Sequence, residues 1–301
     1  MSDTEAETPL GDDFYQDQLR GYYVVIHFAL ITLAIQLVLC ILGASHYKAA
    51  ARPSEGNSRR PYFILSFAIL TLFTVACVSD SVFFANLTIN RRGVSIAEFW
   101  QTNFNVWYGV MGTICNTIVI LLGDGVLVYR CYYIWPERRW VVIVPSLALF
   151  ASTVCGVLTL IGNFTFLDNL LGDNLNSLAS AWTSLSAATN CLLTALIAGK
   201  LIYHRRKLSA VIDPSHLLKY TAALAILVES ALPLALFGIV AAAILNYGTW
   251  RLSDATMTII PAVWFCLSAL CPQLIIFRVA VGTSYPSDGA FQTPSRLMKF
   301  V

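Results

Sequence analysis

Charge is scarce in this chain: Lys, Arg, Asp and Glu make up only 12% of it, against about 25% in an ordinary soluble domain. Apolar residues take 57% and mean hydropathy is +0.68. One water-soluble core cannot absorb so much apolar sequence, so most of it must face lipid or other helices. The net charge is only +2 and no long basic run exists, which excludes nucleic acid as a partner. Histidine is rarer still. Only His27 lies inside an apolar run, while His46, His204 and His216 fall at borders or in loops, so an intramembrane zinc hydrolase lacks its ligands. Gly-rich phosphate loops are missing, and the last apolar run has no Lys to anchor a retinal. All eight cysteines (40, 77, 115, 131, 155, 191, 266 and 271) lie in apolar runs, so no disulfide clips an outer loop. No enzyme, metal or cofactor is therefore expected.

Long apolar runs are what the chain does have. Seven reach the roughly 20 residues that a bilayer requires, at about 20–45, 62–88, 104–134, 140–166, 179–203, 218–246 and 255–281. The fold class expected is all-α: a polytopic membrane protein with a seven-transmembrane helix bundle. Its parts are a disordered acidic tail (1–19), the bundle (20–281) and a short tail (282–301). The acidic N-terminus is no cleavable signal peptide, so the first run serves as its own insertion signal. With the N-terminus outside, 15 of the 19 Lys and Arg fall on the cytoplasmic side, so the positive-inside rule gives N-out, C-in. The sequons Asn86-Leu87-Thr88 and Asn163-Phe164-Thr165 fall on the outer side and are glycosylation candidates. Six Trp (100, 107, 135, 140, 182 and 250) lie near span ends, as in an interfacial belt, and Trp264 alone is near the midplane. The location expected is a multi-pass position in the plasma membrane.

Three acids interrupt the runs: Asp80, Asp124 and Glu229. An acid at a helix centre costs about 2.5–3.5 kcal/mol on insertion scales, and such groups face the interior and mark function. Asp124 and Glu229 lie at similar depths on the third and sixth spans, which predicts an acid pair sharing a proton or holding a cation. Thr113 and Thr117 share the Asp124 face and would extend its polar track outward. Nearer the outside, His27, Asp80, Asn116, Asn190 and Trp264 are the candidate ligand-binding residues, with Ser184 and Ser186 adding polarity to the fifth span. Arg130, Arg138, Arg139, Arg205, Arg206 and Lys207 would meet a cytosolic signalling protein or anionic headgroups. Arg130 points away from Asp124 and reads as an anchor that snorkels to the inner boundary, or as a gate on the inner face.

The stretches "GDGVLVYRCYYIW" (123–135), "RRW" (138–140) and "PQLIIFRVAVG" (272–282) give the chain a resemblance. It resembles a large, uncharacterised family of seven-helix membrane proteins of mushroom-forming fungi, from about Gly21 to Gly282. The general plan is similar to that of G-protein-coupled receptors, whose third helix ends in an Arg motif and whose seventh ends in a Pro motif. Here the tripeptide is Tyr129-Arg130-Cys131, with no acid before the Arg, and no Asn-Pro-x-x-Tyr surrounds Pro272. The resemblance implies a receptor-like plan and brings no activity with it. The function expected is a receptor-like sensor of a small ligand in the lipid bilayer. A proton-coupled carrier or channel using the intramembrane acids is the alternative, and a membrane scaffold is the third. Interior prolines of spans six and seven (Pro233, Pro261, Pro272) find no match in spans one to three, unlike the paired breaks of an inverted-repeat carrier.

Overall fold

The computed structural model describes residues 10–49, 56–89, 99, 106–164, 175–208, 232–244 and 254–282. Its elements are α1 (Leu10–Ala49), α2 (Gly56–Ile89), α3 (Trp107–Ile134), a 3-10 turn (Arg139–Val142), α4 (Ile143–Phe164), α5 (Leu175–Leu208), α6 (Leu232–Ile244) and α7 (Asp254–Gly282). No strand occurs among the described residues. Six of these helices are long and apolar enough to cross a membrane. The run expected at 218–246 is described only as α6, and Glu229 lies outside the described residues. Its described elements are all helical, and the chain is a multi-pass integral membrane protein.

Burial sorts the helices by position. In the apolar windows of α3 and α7 half of the residues are buried (50% each), but only 11% in α1 and 22% in α4, so α3 and α7 are central. α1 packs against α7 and α2, α2 against α3 and α7, and α4 against α5 and α3, while α3 also touches α5 and α7. The outer faces of α1 and α4 present Ile31, Val38, Ile41, Val144, Leu147 and Phe150 to the surroundings. Polar side chains such as Thr32, Gln36, Ser186, Asn190, Ser268 and Gln273 are turned inward. That inversion is the one a hydrocarbon solvent imposes.

Two expectations are corrected here. The tail expected to be disordered over residues 1–19 is helical from Leu10 onward. It is tied down: Leu19 packs with Phe83, Leu87 and Phe99, and Asp17 Oδ2 accepts from the Ala255 N–H at 3.5 Å. Ala255 belongs to the first turn of α7, whose N–H groups have no partner within the helix. Trp182, expected in the interfacial belt, is buried at 8% exposure, because its indole packs on Gly156 of α4, where an added Cβ would come within 3.1 Å. Trp107 and Trp140 are exposed, at 74% and 66%.

The α1–α7 contact near Asp17 is close. A Cβ added at Gly21 would lie 2.9 Å from Ala255 Cα, and backbone cannot swing aside. Gly21→Ala should therefore destabilise the purified protein by about 1–2 kcal/mol, despite the better helix propensity of Ala. Thermal unfolding in detergent checks this, and an unchanged or raised midpoint would refute the contact.

Candidate functional site

α2 carries the first unusual group. Its buried face comprises Ile69, Phe73, Ala76, Cys77, Phe83 and Leu87, spaced by three, four and seven residues as one helical face requires. Asp80 falls in the middle of that face, four residues after Ala76 and three before Phe83, and yet it is exposed. The lipid-facing side of α2, with Phe67, Val75, Val78 and Val82, lies opposite. Asp80 is thus exposed on the face of α2 that otherwise packs into the bundle. Protein still surrounds it: the Asn116 side chain lies beside its carboxylate, and Cys77 and Cys266 of α7 stand nearby. Opposite it is Gly112 of α3, where a Cβ would come 3.2 Å from Asp80 Oδ1 and 3.0 Å from Ser79 Cβ. Glycine there keeps α3 clear of the carboxylate.

Apolar layers lie on either side of Asp80 along the helix axes. On one side Ile69, Phe73, Cys77, Val119, Cys266 and Ala269 form a buried cluster. On the other, Phe83, Leu87 and Phe99 pack with Leu19, Tyr22 and Tyr108, the Phe83 and Phe99 rings lying edge to face at 5.9 Å. Thr32 and Cys266, both buried, lie beside each other where α1 meets α7, next to the first cluster.

The second acid is sealed. Asp124 is 2% exposed. Ser186 donates its hydroxyl to Oδ2 at 2.7 Å, and Asn190 donates its amide to Oδ1 at 2.9 Å. Both donors come from α5 and are four residues apart, so one face of that helix holds both carboxylate oxygens. No Lys, Arg or His among the described residues forms an ion pair with Asp124. Asn190 Oδ1 is buried without a partner among the described residues. Next to the acid, a Cβ on Gly123 would come within 3.0 Å of both Pro272 Cγ and the Ser268 carbonyl of α7. Pro272 has no N–H to give to Ser268 O, and Gly123 lets α3 lie directly against that freed carbonyl. Asp124 therefore sits where α3 meets both α5 and α7.

The five candidate ligand residues do not converge on one place. Asp80 and Asn116 come together. Asn190 belongs instead to Asp124. His27 stands on the outside of the bundle, its Nδ1 2.7 Å from Tyr23 O. Trp264 is packed at 1% exposure against α6, with its Nε1 3.1 Å from the position of a Cβ on Gly238. Thr113 and Thr117, expected to extend a polar track from Asp124, donate to Gly109 O and Thr113 O of their own helix. The position of Glu229 relative to Asp124 falls outside the described residues.

Arg130 turns inward rather than to the headgroups: its Nη2 donates to Ile275 O of α7 at 3.2 Å. Arg138 and Arg139 are exposed, and Arg139 lies 5.3 Å over the Tyr132 ring. Arg206 is exposed at the end of α5, and the side chains of Arg205 and Lys207 lie outside the described residues. Lys200, which the sequence did not single out, is 8% exposed, 3.8 Å from Glu137 Oε2 and 4.7 Å over Trp135. Of the sequons, Asn86 sits within α2 with its amide donating to Val82 O at 3.1 Å and Tyr108 Oη at 3.3 Å. The Asn163 side chain lies outside the described residues.

The chain matches no protein-family model, no curated protein and no solved structure. What it does must be argued from Asp80, Asn116 and Asp124 themselves.

Proposed function

We propose that the protein is a receptor-like membrane sensor that holds a small ligand in the chamber at Asp80 and Asn116. One observation carries this reading: Asp80 is accessible although its neighbours Ala76, Cys77, Phe83 and Leu87 on the same face of α2 are buried. A helix bundle that only had to pack would fill that position with an apolar side chain. The basic residues Arg138, Arg139 and Arg206 would then meet a cytosolic partner or anionic lipid, with the N-terminus outside and the plasma membrane as the site of action.

Thiol labelling tests the chamber. Asp80→Cys should react with a small water-soluble methanethiosulfonate applied to the full-length protein in nanodiscs, well above the background of the wild-type cysteines. Applied to intact cells, the same reagent should label from the outside. A folded Asp80→Cys protein that stays unlabelled in nanodiscs would remove the sensor reading and favour a sealed scaffold. A second reading, a proton-coupled carrier, is favoured by Asp124, a buried acid with no basic partner among the described residues. Proteoliposomes loaded with a pH dye decide it, for a carrier must acidify or alkalinise the lumen when a substrate gradient is imposed.

A further inference from the structure

We propose that the ligand of the Asp80 chamber is a small organic cation, an ammonium on an apolar body. The inference rests on the chamber reading above and adds the chemical class of what the chamber takes. Asp80 brings a carboxylate into the bundle, and the polar side chain beside it among the described residues, Asn116, is neutral. Among the described residues no Lys, Arg or His forms an ion pair with it. His27, the nearest candidate by level on α1, is engaged with Tyr23 O on the outside of the bundle. A ligand bearing positive charge supplies the missing counter-ion, an anionic ligand is repelled, and a neutral one leaves the carboxylate uncompensated.

The surroundings separate an organic cation from a bare metal ion. Hard cations such as sodium or calcium take several oxygen ligands. Around Asp80 the neighbours named above are Asn116, Ser79, two thiols (Cys77 and Cys266) and a glycine (Gly112), of which only two carry a side-chain oxygen. Along the axis come Phe73 on one side and Phe83 with Tyr108 on the other. Apolar and aromatic walls suit an alkyl or aryl body, and ring faces attract an ammonium. Gly112 matters here too: any side chain there would enter the space beside Asp80 Oδ1, where a Cβ already comes to 3.2 Å. The site thus offers one anionic contact and one neutral polar contact between two apolar layers.

The test uses the full-length protein in nanodiscs and three probes of one shape: phenethylamine, 2-phenylethanol and 3-phenylpropionate, with butylamine and cyclohexylamine widening the ammonium series. Binding is read by ligand-observed NMR and calorimetry. The amine should bind at least about tenfold more tightly than the alcohol, and the carboxylate should not bind. Asp80→Asn should erase the preference for amine over alcohol, Asp80→Glu should keep it, and sodium chloride at matched concentration should not displace the amine. Should Asp80→Asn fail to fold, Gly112→Ala serves instead, lowering amine affinity more than alcohol affinity. Equal binding of amine and alcohol, a preference that survives Asp80→Asn, displacement by sodium, or no Asp80-dependent binding across the ammonium series would each overturn the proposal. Thiol labelling of Asp80→Cys tells the two failures apart: a labelled chamber without ammonium preference sinks only the ligand class, and an unlabelled one sinks the sensor reading with it.

Discussion

Asp124→Asn should leave the protein at least as stable as the wild type, whereas Asp124→Ala should destabilise it by about 2–3 kcal/mol. The opposite signs follow from what surrounds the carboxylate. Ser186 and Asn190 each donate to it, and it has no ion-pair partner among the described residues. Truncation to Ala leaves two buried donors without an acceptor, the expensive case for a hydrogen bond. Asparagine keeps the shape and one acceptor oxygen, and it no longer carries a charge that burial penalises. Its new amide can also serve Asn190 Oδ1, which has no partner among the described residues. Thermal unfolding of the three proteins in one detergent measures this. Asn and Ala variants equally destabilised would show that the charge itself holds α3 to α5.

The glycines flanking that acid should respond in opposite directions to the same substitution. Gly123→Ala should destabilise by about 2–3 kcal/mol, because its methyl meets Pro272 Cγ and the Ser268 carbonyl, each at 3.0 Å. Gly125→Ala meets nothing within 4 Å and should stabilise by up to about 1 kcal/mol through helix propensity. Propensity alone treats the two positions alike, so only packing separates them. Unfolding midpoints that move together would place the α3–α7 contact elsewhere.

The sequence shows how deep the acids lie but not what they meet. The apolar runs mark seven expected spans, and six of them are membrane-long helices among the described residues, since bilayer thickness acts on local composition alone. That Asp124 turns inward is legible for the same reason, because lipid leaves a carboxylate no alternative. Its donors are not legible: Ser186 and Asn190 lie on another helix, and pairing between helices depends on rotations that a composition window does not report. Those two residues were visible as an unusual polarity of the fifth run, read as a pocket wall, while the partner of Asp124 was sought on the sixth. Trp182 misled for a related reason. Its depth suits a headgroup belt, but Gly156, 26 positions earlier, opens a notch that draws the indole inside. The helical start of α1 escaped because its tie, Asp17 to Ala255, joins opposite ends of the chain.

The two central helices differ in mechanical character. α3 runs from Trp107 to Ile134 without a proline, while α7 contains Pro261 and Pro272. A continuous α-helix is stiff along its length, and bends gather at proline. Asn116, Asp124 and Arg130 therefore ride on one rod, and the 14 positions from Asn116 to Arg130 span about 21 Å of it. Twisting the rod at the Asn116 end turns the Arg130 end by the same angle, whereas α7 can flex at its prolines and absorb the difference. A turn of the rod loads three joints together: the Asp124 hydrogen bonds to Ser186 and Asn190, the Gly123 contact with Pro272, and the Arg130 hydrogen bond to Ile275 O, three residues beyond that proline.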